Sequence, residues 1–189
     1  MKTINDFLVT PKGGDRYDNT SRIGEKKLII NTSIESHTHV NRVGVIKATP
    51  IDYDGPIKVG DEVILHHNVF RIYYDMKGDE KHSPCYFFKD YYLVPFDQIY
   101  FYKSDKDWIS TGEYCFIEPV KKIDKEVLTL DEHEELKGKI THDNKYLNNI
   151  GIFNGDVVSF RPDVEYEFRI GLDVLYRVNN HRVCMKLTK

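Results

Sequence analysis

Histidines, glutamates and cysteines are the residues of this chain with chemistry to offer. His37 and His39 stand two apart, so on an extended segment they would share one face, as paired imidazole ligands of a metal do. His66 and His67 are adjacent in a second extended segment, which sends their rings to opposite faces. No cysteine or carboxylate stands at ligand spacing from either pair, so no metal centre is expected. Glu132, Glu134 and Glu135 could supply the paired carboxyls of general acid–base chemistry. Their setting in 131–137, charged almost throughout, reads as a solvated charge run instead. The three cysteines, Cys85, Cys115 and Cys184, form no C-x-x-C, and the last two sit in strand-like runs as core residues do. Their odd number, behind a start (Met1–Phe7) without the apolar core of a secretion signal, predicts reduced thiols in an intracellular setting. There is no G-x-S-x-G, no P-loop and no G-x-G-x-x-G. The expectation is a binding protein, with neither catalytic residues nor a cofactor.

Two other features bear on binding. Tyrosine and phenylalanine are abundant, at 13 and 10 residues, and cluster at 73–74, 86–88, 91–92 and 100–102. Such rings stack nucleic-acid bases in small barrels, but only beside a basic groove. The net charge is −3, the pI is about 6.2, and no Lys/Arg run dominates. Packing in cores and subunit interfaces is therefore the expected use of these rings, and no nucleic-acid partner is expected. No apolar stretch approaches the 18 residues that span a bilayer, so no membrane partner is expected. Inside the charged segment 121–137 lies one apolar island, Val127, Leu128, Thr129 and Leu130. It is either an anchor for a partner or a hairpin or short helix packed on its own core.

The elements that must position these residues recur. Leu28-Ile29-Ile30, Gly44-Val45-Ile46-Lys47, 59–65, Phe70-Arg71-Ile72, Tyr92-Leu93-Val94 and Ile99-Tyr100-Phe101 run in that order. Cys115-Phe116-Ile117, Gly138-Lys139-Ile140-Thr141, 154–160, Phe168-Arg169-Ile170, Tyr176-Arg177-Val178 and Val183-Cys184-Met185 repeat it. Fixed-order recurrence over this length means two copies of one small domain. Short strands with regular turn signals predict an all-β chain, with a polar N-terminal arm over 1–26, a first domain over 27–108 and a second over 113–189. Phe7-Leu8-Val9 is expected as an added edge strand or a clasp to a neighbour. Helix is expected at most over 131–137, and Asn179-Asn180 as a two-residue hairpin turn. The 75–90 insertion has no counterpart in the second copy, and 76–82 within it reads as a solvated loop.

The ordered blocks resemble the chaperonin-10, or GroES-type, co-chaperonin family. The residues that carry the resemblance are Gly138-Lys139-Ile140, Asn154 to Phe160, Tyr166-Glu167-Phe168 and Asp173 to Val178, with Val59 to Leu65 in the first copy. It covers about 160 residues in two copies. The resemblance implies two tandem small β-barrels and a homo-oligomeric ring that caps a group I chaperonin. It also implies a docking loop between the first strand and the G-x-[VI] strand. By position that loop is 121–137 in the second copy, with Val127, Leu128, Thr129 and Leu130 as its anchor. The shorter 33–41 is its counterpart in the first, so one docking loop per chain is expected. The family has one barrel per chain and Gly-rich loop flanks, and this chain departs on both points. Doubled, divergent chains of this style resemble bacteriophage proteins, which implies a place in the cytoplasm of an infected host. The alternative is a virion structural protein of the head or neck, in contact with other virion proteins.

Overall fold

Runs of β-branched and aromatic residues, each closed by Gly, Pro, Asn or Asp, make strands along the whole chain. The computed structural model describes residues 2–17, 20–23, 26–29, 40–104, 107–121, 133–163, 166–170 and 173–187. Among the described residues seventeen strands run in chain order. The first eleven are β1 (Phe7–Pro11), β2 (Thr20–Ile23), β3 (Lys26–Ile29), β4 (Val43–Ala48), β5 (Glu62–Leu65), β6 (Ile72–Tyr74), β7 (Glu80–His82), β8 (Tyr86–Phe88), β9 (Tyr91–Val94), β10 (Ile99–Ser104) and β11 (Asp107–Ser110). The last six are β12 (Tyr114–Lys121), β13 (His133–His142), β14 (Val157–Phe160), β15 (Tyr166–Ile170), β16 (Asp173–Asn179) and β17 (Val183–Leu187). One short helix, α1 (Lys145–Asn149), lies between β13 and β14. The chain is all-β, and it divides into two compact units, 1–108 and 109–189.

The first unit is built on a seven-stranded antiparallel sheet in the order β11-β10-β5-β4-β1-β9-β8, whose end strand β11 runs across the 108/109 boundary. One face buries Phe7, Val9, Ile46, Val63, Leu65, Phe70, Tyr92 and Val94. The second unit is built on six antiparallel strands in the order β17-β14-β13-β12-β16-β15. Its core holds Cys115, Ile117, Ile140, Leu147, Val158 and Val178. Among the described residues neither sheet closes, so the expected barrels stand as two open sheets.

Strand by strand, the two sheets are one pattern. Val9 stands opposite Ile46 and Pro11 opposite Gly44; Ile117 stands opposite Ile140 and Pro119 opposite Gly138. Both pairs of strands carry an irregularity immediately before that Val or Ile. The Gly-Asp turn recurs atom for atom. Gly60 N donates to Ile46 O (2.9 Å) and Ile46 N to Asp61 O (3.0 Å); Gly155 N donates to Ile140 O and Ile140 N to Asp156 O (both 2.8 Å). Each aspartate also accepts, at 2.8 Å, the backbone N–H three residues before it, Lys58 or Phe153. Gly60 and Gly155 take φ of 99° and 92°, which glycine adopts without a Cβ penalty.

This register corrects several sequence expectations. The strand matching Cys115-Phe116-Ile117 is β1, not Leu28-Ile29-Ile30. Residues 7–11 are no edge strand or arm: β1 lies inside the sheet, between β4 and β9. Residues 26–29 pair with β2 in a separate hairpin. The counterpart of β15 is β8, since both pair with the strand next to the first, so Phe70-Arg71-Ile72 has no partner block in the second copy. The 76–82 stretch expected as a solvated loop forms the turn and second strand of the β6–β7 hairpin. Where helix was expected over 131–137, the described residues from His133 onward are strand β13; the only described α-helix is α1, capped by Asn144 accepting from Leu147 N. Asn179 and Asn180 form no two-residue turn. Asn179 caps a 3-10 turn, and Asn180 is buried, its amide bonded to Asn144 (2.9 Å between side chains) and to Gly112 O (2.9 Å).

Candidate partner-binding surfaces

The expected anchor, Val127, Leu128, Thr129 and Leu130, lies outside the described residues, as do His37, His39 and Glu132. What is described is the frame around 122–132. β12 ends at Lys121 opposite His133, the first residue of β13. Below that pair the ladder is irregular up to Pro119 opposite Gly138, and Leu136 there takes a left-handed φ of 56°. Proline brings no N–H to the ladder, and glycine leaves room for the neighbouring side chain to lie across it. A Cβ on Gly138 would sit 2.9 Å from Ile117 Cδ1. Beyond the Pro–Gly pair only Lys121 opposite His133 still pairs before the connection 122–132 begins.

The first unit has the same exit. Beyond Pro11 and Gly44 the chain runs out through 12–42, far longer than the 33–41 expected from the sequence, and it carries the β2–β3 hairpin. The base of this connection is tied down. Lys12 N donates to Val43 O (2.9 Å), Asn41 N to Arg16 O (2.9 Å), and the Asn41 amide to Asp15 O (2.8 Å). The Tyr17 hydroxyl accepts from Ile72 N at 2.8 Å and lies 3.3 Å from Ile72 O. Glu62 receives Lys12 (2.7 Å) and Lys103 (3.4 Å), and the Lys12 hydrogen bond holds its carboxyl below the ordinary range.

A second surface escaped sequence reasoning. Leu8, Leu93, Phe87, Phe88 and Tyr91, with Ile4, Lys2, Lys89 and Asp6, line a groove of about 670 Å³ beside the edge strand β8. Leu8 points away from the core, opposite Leu93 on β9. Ile4, Phe87 and Phe88 are 80%, 55% and 45% exposed, a contiguous apolar patch of the kind that marks interaction sites. The second unit fills the matching face with its own side chains: Arg177 lies over the rings of Tyr114 (4.4 Å) and Tyr166 (5.1 Å), and Phe116 is fully buried. Leu93 stands where Arg177 does, so the sequence signal was the loss of one cation from an aromatic slot.

No protein-family model matches this chain, and no curated protein matches it.

The remaining chemical candidates do not assemble. His66 and His67 follow the end of β5 rather than lying within it, so their rings stack at 4.3 Å instead of facing apart. Among the described residues no three His, Cys, Asp or Glu side chains converge as metal ligands would. Cys115 is buried, and desolvation pushes its thiol up to about 12; Cys85, half-buried, is pushed up to about 11 for the same reason. A thiol so placed is neither a nucleophile nor a ready ligand at neutral pH.

Proposed function

We propose that this chain is a co-chaperonin-like ring subunit of bacteriophage type. It binds and caps a group I chaperonin to assist folding of viral proteins, and it docks through Val127, Leu128, Thr129 and Leu130. The observation that carries this reading is the shared register of the two sheets, with a long connection leaving each beyond the equivalent Pro–Gly pair, 12–42 in the first and 122–132 in the second. Connection, G-x-[VI] strand, Gly-Asp turn and closing strands follow in the order that the chaperonin-10 resemblance implies. An apolar anchor on a long connection suits reversible docking, because ordering the connection offsets part of the contact energy. Open sheet edges suit subunits that complete one another in a ring.

The test is native mass spectrometry of the chain with a group I chaperonin and nucleotide, beside a variant lacking Val127–Leu130. A nucleotide-dependent complex that the deletion abolishes, with the fold intact by circular dichroism, is the expected result. Binding that survives the deletion removes the anchor. No complex at all, with the chain found instead in purified particles, replaces this reading with a virion structural role.

A further inference from the structure

The corrected register changes the place of one apolar run. Leu28-Ile29-Ile30 is a core strand in the sequence reading. With β1 in that role, the run falls inside the 12–42 connection, Leu28 and Ile29 on β3. The equivalent connection of the second unit, 122–132, carries Val127, Leu128, Thr129 and Leu130. Each connection has a single place where apolar residues adjoin, 28–30 in one and 127–128 in the other. The duplication therefore extends to the connections: each leaves beyond the equivalent Pro–Gly pair and each carries one aliphatic run.

The first run is held on paired backbone. Ile29 stands opposite Thr20 and Leu28 opposite Ser21, and β2 and β3 make a two-stranded sheet apart from the seven-stranded one. The base below this hairpin is braced by β6 and β7. Arg16 Nη1 donates to His82 Nδ1 (3.1 Å) and its other Nη lies 4.0 Å from Glu80 Oε1. Tyr17 bridges to buried Val40, and its hydroxyl takes the Ile72 N–H. The second unit has no such brace: only 161–165 separate β14 from β15, against 66–85 between β5 and β8. The insertion that sets the first unit apart thus contacts the root of the connection that bears Leu28 and Ile29.

We propose that Leu28 and Ile29 form a second docking anchor for the chaperonin, so that each chain grips its partner twice. This inference rests on the function proposed above. It reverses the expectation of one docking loop per chain, which took 33–41 for the whole first connection. An aliphatic run on a paired hairpin with a braced base loses less freedom on docking than one on unpaired chain, so more of its contact energy appears as affinity. Two grips in one chain also make the second contact intramolecular, which raises binding about 10²–10⁴-fold over either alone.

The test uses the full chain with a group I chaperonin and nucleotide. Amide hydrogen exchange of the unmodified chain is expected to slow over 26–30 as well as over 122–132 when the chaperonin is added. Leu28→Ser combined with Ile29→Ser is expected to raise the dissociation constant on the order of 100-fold. That is enough to lose capture where the unmodified chain is captured, as deletion of 127–130 is. Native mass spectrometry and circular dichroism of the free variant check its assembly and fold. Where the variant loses either, the exchange result on the unmodified chain decides. Unaltered exchange over 26–30, with a folded variant that binds like the unmodified chain, overturns the inference and leaves docking through 127–130 standing. Slowed exchange over 26–30 but not over 122–132 upholds the inference and removes the 127–130 anchor. No complex with the unmodified chain overturns both together.

Discussion

Among single residues, the three cysteines separate sharply by environment. Burial penalises the thiolates of Cys115 and Cys85, whereas Cys184 is exposed. With a disulfide reagent at pH 8 we expect one rapidly titrating thiol in the native protein and three in denaturant; Cys184→Ser is expected to remove the fast phase. Fast reaction at Cys115 would mean that the second core opens freely. Glu62 is the matching case among carboxylates. Its folded pKa is depressed, first by Lys12, so the stability it contributes is present above the ordinary carboxylate range and lost as pH falls through the lowered value. Replacing Lys12 by Met is expected to raise the Glu62 pKa, read by carbon NMR of the carboxyl. It should also flatten the acid limb of the stability curve in that window. An unmoved Glu62 titration would show that Lys103 alone sets it.

At the scale of strands and turns, the Pro–Gly exits make the next prediction. An added Cβ at Gly44 would collide with Val9 Cγ1, and one at Gly138 would press on Ile117 Cδ1 and on Glu118 O at 3.2 Å. Overpacking of this kind costs about 1–3 kcal/mol. Both Gly44→Ala and Gly138→Ala are expected to lower the urea midpoint with an unchanged slope, Gly44→Ala more, since it also meets Leu65 and Phe70. The G-x-[VI] strands and Gly-Asp turns were legible in the sequence because their glycines answer local demands: a positive φ at Gly60 and Gly155, a close approach at Gly44 and Gly138. The first strand of the first unit was not. Leu28-Ile29-Ile30 is the more apolar run, but β1 is recognised by what faces it across the sheet, and pairing partners are non-local. The β8 groove was hidden for the same reason, since Leu8, Leu93 and Phe88 meet only through strand order. The fold class was readable from strand and turn composition. Closure of the sheets was not, because it depends on edge pairing that local patterns do not encode.

For the molecule as a whole, the chain is one pattern used twice with different exposed surfaces. The first unit keeps an open apolar groove beside β8 and covers the β10 edge; the second fills the equivalent face with Arg177 and leaves β17 bare. The placing of β1 has a consequence in time. Phe7 pairs with Val94 and Val9 with Tyr92, so β1 gains its second neighbour only some eighty residues after it is made. At roughly 5–20 residues per second, that interval lasts on the order of 5–20 s on the ribosome. Once clear of the ribosome and until Val94 follows, Phe7, Leu8 and Val9 hang from a nascent chain that lacks the strand to cover them, open to any holdase that grips short apolar runs.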